Sequence, residues 1–326
     1  MGHVLIIRFH AFGDTLILLP YVQGLKSQYP ELTIDLLTLE INASIPKNLK
    51  IFDRVMTLPG GRSQAKMGLH FLLNWLVSKG GTYNFVVDLQ KNKVSALARA
   101  LFPGARTSVF EKYAPYFAGE RYLTALDALF PGIQPDFRLE TSTDIDVSQL
   151  LDFSESSNTK YIVINPAGFF PTRNWPIENY LELIRLMIDR WGDLVKLVFL
   201  GDSRIGEKVK VIQKHYLSNV INLVNRTSQI EAFSILGKCH LVISEDSGLG
   251  HMAWIQGVNT LFLFGSTRAD WTAPPYDHVY TFVSSDMDCG DCMRVRCIYD
   301  DVKCLTRYTP DIIMDKVNQI LSGAQV

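Results

Sequence analysis

Short apolar runs alternate with longer amphipathic stretches along the whole chain, which predicts an α/β protein with doubly wound parallel sheets. Residues 3–8 read as a buried strand and residues 15–29 as a helix closed by Pro30. Residues 32–37 and 84–88 read as further strands, the second ending in an acid, and residues 91–101 as a helix. From 139 to 159 Ser, Thr, Asp and Glu take over, with little periodicity beyond 147–153, which marks a linker. The pattern then restarts. Strands are predicted at 161–165, 195–200, 241–244 and 260–264, and helices at 179–191, 230–237, 248–256 and 310–324. Two successive α/β stretches of similar size predict two Rossmann-like domains, 1–150 and 151–326, with a cleft between them. In such sheets ligands bind outside the carboxyl ends of the strands.

Length agrees with two domains, since a single core rarely grows beyond ~250–300 residues. Hydrophobic residues at 47% and charged residues at 20% describe an ordinary globular protein. A net charge of −1 argues against whole-molecule affinity for nucleic acid. Local charge is more telling. Between Lys47 and Lys112 eleven basic residues face three acidic ones, an excess of eight positive charges. Such a stretch either draws in an anionic partner or is a solvated face whose counter-charges lie elsewhere in the fold. No signal peptide is predicted, because Arg8 cuts the first apolar run and Asp14 breaks the next. No apolar run reaches the ~20 residues of a membrane span. Residues 67–77 (MGLHFLLNWLV) are the nearest candidate for membrane contact, as a core segment or an interfacial helix. The expected location is the cytoplasm, extending to the inner face of the cytoplasmic membrane.

Four segments at strand ends carry chemistry. The first, Arg8-Phe-His-Ala-Phe-Gly13-Asp14-Thr15, has one glycine where a dinucleotide fingerprint has three, which disfavours an NAD-dependent oxidoreductase. Asp14 reads as a helix N-cap or as a general base. The second, from Asn165 to Pro176, brings Thr172 and Arg173 ahead of a helix whose first turn suits Pro176. A guanidinium there matches a pair of phosphate oxygens, or is simply a surface charge. The third, Ser244-Glu245-Asp246-Ser247-Gly248-Leu-Gly250-His251, joins a buried strand to a helix. Its backbone N–H groups suit a pyrophosphate, with His251 as a phosphate donor or a core histidine, and Asp246 as a cap or a sugar ligand. The fourth, Gly201 to Glu207, offers Glu207 to nucleoside hydroxyls or to solvent. Near the C-terminus Cys289-x2-Cys292-x4-Cys297-x6-Cys304 suggests a structural tetrahedral zinc or iron, with free thiols or redox disulfides as alternatives. Cys239 reads as packing.

Taken together these segments resemble glycosyltransferase family 9, the ADP-heptose:lipopolysaccharide heptosyltransferases. The resemblance lies in the opening VLIIRFHAFGDTLILLPYVQGLKSQYP, in PAGFFPTRNWPIENYLELIRLM, and in LVISEDSGLGHMAWIQGVNTLFLFGSTRADWTAP. It implies a GT-B fold and an inverting transfer of heptose from ADP-heptose to a lipopolysaccharide core or related glycan, with no cofactor or metal in catalysis. Carried over by motif, Asp14 is the catalytic base. Gly13, Thr172, Arg173, Glu207, Asp246, Ser247, Gly248 and His251 are the candidates for the nucleotide-sugar donor. Arg173 stands where the family usually has a phosphate-binding lysine. Lys47, Arg62, Lys66, Lys91 and Lys93 are the candidates for an anionic glycolipid acceptor on the N-terminal domain. The remaining readings are an NAD-dependent oxidoreductase, a non-catalytic sugar-nucleotide-binding protein of the same fold, and a sugar-nucleotide epimerase.

Overall fold

The computed structural model describes residues 2–59, 66, 68, 70, 82–153 and 158–323. Two compact units meet in sequence within the predicted linker, Met1–Asp144 and Ile145–Val326.

In the first unit the elements run β1 (His3–Ile7), α1 (Phe12–Gln28), β2 (Thr33–Leu39), α2 (Ser44–Lys47), β3 (Arg54–Leu58), β4 (Phe85–Asp88), α3 (Lys93–Ala100), β5 (Arg106–Val109) and α4 (Ala118–Asp127). All strand pairs are parallel, in the order β3-β2-β1-β4-β5. β1 is paired along both edges, by β2 and β4, and Val4 to Ile7, which point alternately to its two faces, are all buried, so both faces are covered. That is why it is a continuous apolar run rather than an alternating one. α1 is apolar around most of its circumference, with Leu16 to Val22 buried as a block. A helix of that kind belongs inside a core.

The second unit repeats the plan with β6 (Lys160–Asn165), α5 (Ile177–Trp191), β7 (Val195–Phe199), α6 (Gly206–His215), β8 (Val220–Asn222), α7 (Gln229–Leu236), β9 (Leu241–Glu245), α8 (Gly248–Trp254), β10 (Thr260–Leu263), α9 (Ala269–Thr272), β11 (Val279–Phe282), α10 (Lys303–Thr306) and α11 (Pro310–Leu321). Its sheet is also parallel, in the order β11-β10-β9-β6-β7-β8. The core under this sheet is built on Trp175, Tyr180, Leu183, Ile184 and Met187, and α11 closes it with Ile313 and Val317 against α5.

Both sheets reverse direction of winding once, between β1 and β4 and between β6 and β9. Adjacent loops at such a reversal leave the sheet toward opposite faces and open a crevice for ligand. Among the predicted elements, α1 begins three residues earlier than expected, so Gly13 and Asp14 lie inside its first turn. Pro176 is the residue before α5 rather than part of its first turn. Most of residues 67–77, and Arg62, lie outside the described residues. No helix of the described residues is long and apolar enough to cross a membrane.

Candidate functional site

At the β1/β4 reversal the centre is Asp14. It is not the N-cap of α1, which is Ala11; it sits at the third helical position and its Oδ2 accepts from the Ala11 N–H at 2.8 Å. Ala11 has no side chain able to cap, so the acid must reach back from within the turn, where the helix dipole also favours negative charge. The same Oδ2 is 2.8 Å from Arg8 Nη2, and Tyr122 Oη of α4 stands 3.4 Å from Oδ1. Arg8 is buried, donates to the Leu89 carbonyl, and lies 5.5 and 5.3 Å from the ring centroids of Phe110 and Tyr122. Burial disfavours its charge, but Asp14, Tyr122 and Asp88 together raise its pKa above the ordinary arginine value. Burial likewise pushes the Tyr122 phenol upward, so it stays protonated and acts as a donor. Gln90 ties the two loops of the reversal together by accepting from the Phe9 and His10 N–H groups at 2.9 and 3.2 Å. Gly13 lies in the helix turn beside Asp14.

At the β6/β9 reversal the loop after β6 and the loop after β9 are knitted by side chains. Asn165 Nδ2 donates to Ser244 Oγ at 3.1 Å and Ser247 Oγ at 2.6 Å. Ser247, not Asp246, is the N-cap of α8, with its Oγ accepting from Gly250 N. Asp246 instead pairs with Arg173 (3.2 Å, Nη1 to Oδ2) and lies 4.0 Å from His251 Nε2. The Arg173 guanidinium also stacks 4.8 Å from the Phe170 ring centroid, and its Nε is buried with no partner among the described residues. His251 is buried on α8, one turn in from Gly248, and its Nδ1 accepts from Trp254 Nε1 at 2.9 Å. That bond places the proton of the neutral ring on Nε2, the nitrogen nearer Asp246. Arg173, Asp246, Ser247, Gly248 and His251 therefore lie together at this reversal.

The residue that organises this site was quoted in the motif but assigned no role. Glu245 ends β9 fully buried, and its carboxyl accepts from Trp175 N (2.6 Å), Gly168 N (2.5 Å) and Tyr180 Oη (3.1 Å). It thereby fixes both ends of the loop that carries Arg173. Burial, only partly offset by Lys208 and these three bonds, pushes its pKa up to about 7. Lys208 reaches the same loop, donating to Pro166 O at 2.9 Å and Asn174 Oδ1 at 2.6 Å. Its neighbour Glu207 faces solvent and pairs with Lys210 at 2.7 Å, so the inward residue of that turn is the lysine. Thr172 is buried and spent internally, bonded to Ser266 Oγ at 2.8 Å and to the Arg294 carbonyl at 2.5 Å.

Of the basic candidates in the first unit, Lys91 and Lys93 follow the end of β4, and Lys47 ends α2. Lys47, Lys66 and Lys93 are exposed, and Lys91 lies 3.8 Å from Glu111. Part of the local charge excess is answered from outside the stretch, by Asp35 against Arg54 and Glu140 against Lys50. Cys289, Cys292, Cys297 and Cys304 line one pocket of about 420 Å³ and are all free thiols. Among the described residues no three His, Cys, Asp or Glu side chains form a group that could hold an ion, so the arrangement lends the expected structural zinc or iron no support.

Two parallel α/β units, each with a polar cluster at its winding reversal, define a protein built of two Rossmann-like domains. Residues 107–303, more than half of the chain, match glycosyltransferase family 9 (heptosyltransferase), and the chain belongs to that family. It is 24% identical over 308 residues to lipopolysaccharide heptosyltransferase 2 of Salmonella typhimurium, covering 84% of this chain and 86% of that one. The matched stretch spans only about half the length of three other curated heptosyltransferases. Among solved structures it resembles a family 9 glycosyl transferase of Veillonella parvula (TM-score 0.80, 18% identity, 99% and 98% of the two chains). It also resembles the ADP-heptose lipopolysaccharide heptosyltransferase II of Escherichia coli (TM-score 0.70, 20% identity, all of both chains). These likenesses establish the GT-B fold.

Proposed function

We propose that this chain is an inverting glycosyltransferase that moves heptose from ADP-heptose to a lipopolysaccharide core or related glycan. The observation that carries the reading is Arg173: a largely buried guanidinium, aligned by Asp246 and Phe170 beside the start of α8, with a buried N–H that has no partner among the described residues. Such a group is ready for an anion, and a diphosphate supplies one. The names of similar proteins support ADP-heptose as its source.

In this reading Asp14 takes the proton of the acceptor hydroxyl. The acceptor oxygen forms a bond to the anomeric carbon from the face opposite the nucleotide. The bond from that carbon to the diphosphate oxygen breaks, and its electron pair leaves with ADP. Negative charge grows on the diphosphate as the bond breaks, so Arg173 and the Nε2–H of His251 stabilise the transition state more than the ground state. Asp246 orients both. No metal or organic cofactor is required. The acceptor is an anionic glycolipid met at the inner face of the cytoplasmic membrane, and the exposed Lys47, Lys66 and Lys93 favour such a partner.

Calorimetric titration of ADP, UDP, GDP and NAD into the purified protein and its Arg173→Ala variant tests this. Selective ADP binding that weakens roughly 10- to 100-fold in the variant is expected, the value of a charged hydrogen bond. Preference for UDP or GDP would discard ADP-heptose but keep the transferase. NAD binding alone would return the chain to the oxidoreductases.

A further inference from the structure

We propose that Glu245 and Lys208 are positioning residues for the nucleotide: together they tie the loop of residues 166–175 shut, so that Arg173 stands in its phosphate-binding place before the ligand arrives. The inference rests on the reading of Arg173 as the partner of the diphosphate. It assigns a role to two residues that lie outside the donor and acceptor candidates.

A loop between a strand and a helix has no ladder to pair its backbone groups, and a buried N–H or C=O left alone is costly. Here one buried anion and one half-buried cation answer them. Glu245 accepts from the Gly168 N–H near the first end of the loop at 2.5 Å and from the Trp175 N–H at the second end at 2.6 Å. Lys208 Nζ donates to the Pro166 carbonyl at the first end at 2.9 Å and to Asn174 Oδ1 at the second at 2.6 Å. The carboxylate thus takes donors from both ends and the ammonium takes acceptors from both ends, so neither can replace the other. Asn174 closes the neck from within, its Nδ2 donating to the Gly168 and Phe170 carbonyls at 3.1 and 2.6 Å. Tyr180 of α5 holds the Glu245 carboxyl in turn, at 3.1 Å. Burial lowers the pKa of Lys208, and the charge of Glu245 offsets part of that, so each ion makes the other easier to bury.

The tie reaches Arg173 directly. Gly168 packs against the Arg173 backbone so closely that an added Cβ would lie 2.3 Å from the Arg173 carbonyl oxygen. Holding the Gly168 N–H therefore holds the main chain beneath Arg173. From the other side the Thr172 carbonyl accepts from the Ser266 N–H at 3.2 Å, and an added Cβ at Gly265 would lie 2.1 Å from that oxygen. The backbone that carries the guanidinium is thus fixed on two sides, which leaves only the side chain to be aligned by Asp246 and Phe170. A long side chain on an untied loop has to be ordered when the ligand binds. Here the ordering is done on folding, and the affinity it would have cost is kept.

The test is calorimetric titration of ADP into the full chain carrying Glu245→Gln or Lys208→Met, each alone and combined with Arg173→Ala. The signs separate positioning from a mere field effect. By charge alone, removing an anion near the site tightens ADP binding and removing a cation loosens it. Positioning makes both variants bind more weakly, by about 2- to 10-fold, the range for ordering one long side chain on binding. Because both residues act through Arg173, neither substitution should weaken binding further once Arg173→Ala is present. Without ADP, hydrogen exchange over residues 166–176, read by mass spectrometry, should be faster in both variants than in the wild type. Unchanged or tighter ADP binding in Glu245→Gln overturns the inference, and so does an undiminished effect of either substitution in the Arg173→Ala background. Should Glu245→Gln fail to fold, Lys208→Met carries the test: unchanged exchange, or a loss of affinity that persists without Arg173, overturns it equally. If Arg173→Ala binds ADP as tightly as the wild type, the diphosphate reading falls instead, and the exchange rates still show whether the pair holds the loop.

Discussion

Replacing Glu245 by Gln gives a pH-dependent stability difference whose size and sign follow from the site. The carboxyl is fully buried, and its pKa in the folded chain is raised from 4.5 to about 7. A group that binds its proton more tightly when folded contributes stability that is fully present below pH 4.5 and is lost as pH rises through about 7. A shift of this size corresponds to about 3 kcal/mol. The glutamine variant has no such titration. Its cost is geometric: if the amide oxygen keeps the Trp175 N–H and Tyr180 hydroxyl, the amide nitrogen must face the Gly168 N–H, donor against donor. A protonated carboxyl avoids this, since its hydroxyl oxygen still accepts. One buried donor left without its partner costs about 1–3 kcal/mol.

At pH 5, then, the wild type should be more stable than Glu245→Gln by about 1–3 kcal/mol, roughly 2–4 °C in Tm for each kcal/mol. By pH 8 the wild type has lost a comparable amount, and the gap should close or reverse. Thermal unfolding of both proteins in one buffer series from pH 5 to pH 8 measures it. Taking the difference between the two cancels every other titrating group they share. A gap that stays constant or widens toward pH 8 would refute the argument, because it would mean that Glu245 is ionised at no cost in the folded chain.

Three further outcomes are expected. Gly250→Ala places a methyl 2.3 Å from Phe262 Cε1 and 3.0 Å from Ser244 Oγ, so it should cost about 1–3 kcal/mol, and an unchanged Tm would contradict the packing of α8 on β10. With Ellman's reagent the exposed Cys292 should react in the folded protein and Cys304, its thiol pushed up to about 11, more slowly. Cys239, buried and pushed up to about 12, should react only with denaturant. Replacing Lys47 and Lys93 together by Gln should raise acceptor KM several-fold without altering ADP affinity, and the effect should shrink above ~0.1 M salt as screening sets in. An acceptor KM that does not move would assign these exposed lysines to a merely solvated face.

What was legible in the sequence divides along a physical line. Every strand with neighbours on both sides, namely β1, β2, β4, β6, β7, β9 and β10, was visible as an apolar run, because burial on both faces forces one. β3, β5, β8 and β11 were missed, and they are the four edge strands, with three of the four residues of Arg106-Thr-Ser-Val109 in β5 exposed. An edge strand is held by a single ladder and leaves residues such as these turned to solvent, so hydropathy has little to report. The site divides in the same way. The short segments around Asp14, Arg173 and Asp246 could be found because a strand-to-helix turn compresses its chemistry into a few consecutive residues. Tyr122 could not, since only the pairing of β1, β4 and β5 brings a residue 108 positions away within reach of Asp14. Glu245 and Asp246 show the limit most sharply. They are adjacent acids in one motif, yet one is sealed in the core holding a loop and the other lies at the surface of the site against Arg173. Nothing in the dipeptide says which way each points. Yet a charge that closes a central strand is too costly to bury unless donors meet it. The position of Glu245 at the end of β9 was thus itself a signal to look for the backbone N–H groups that answer it.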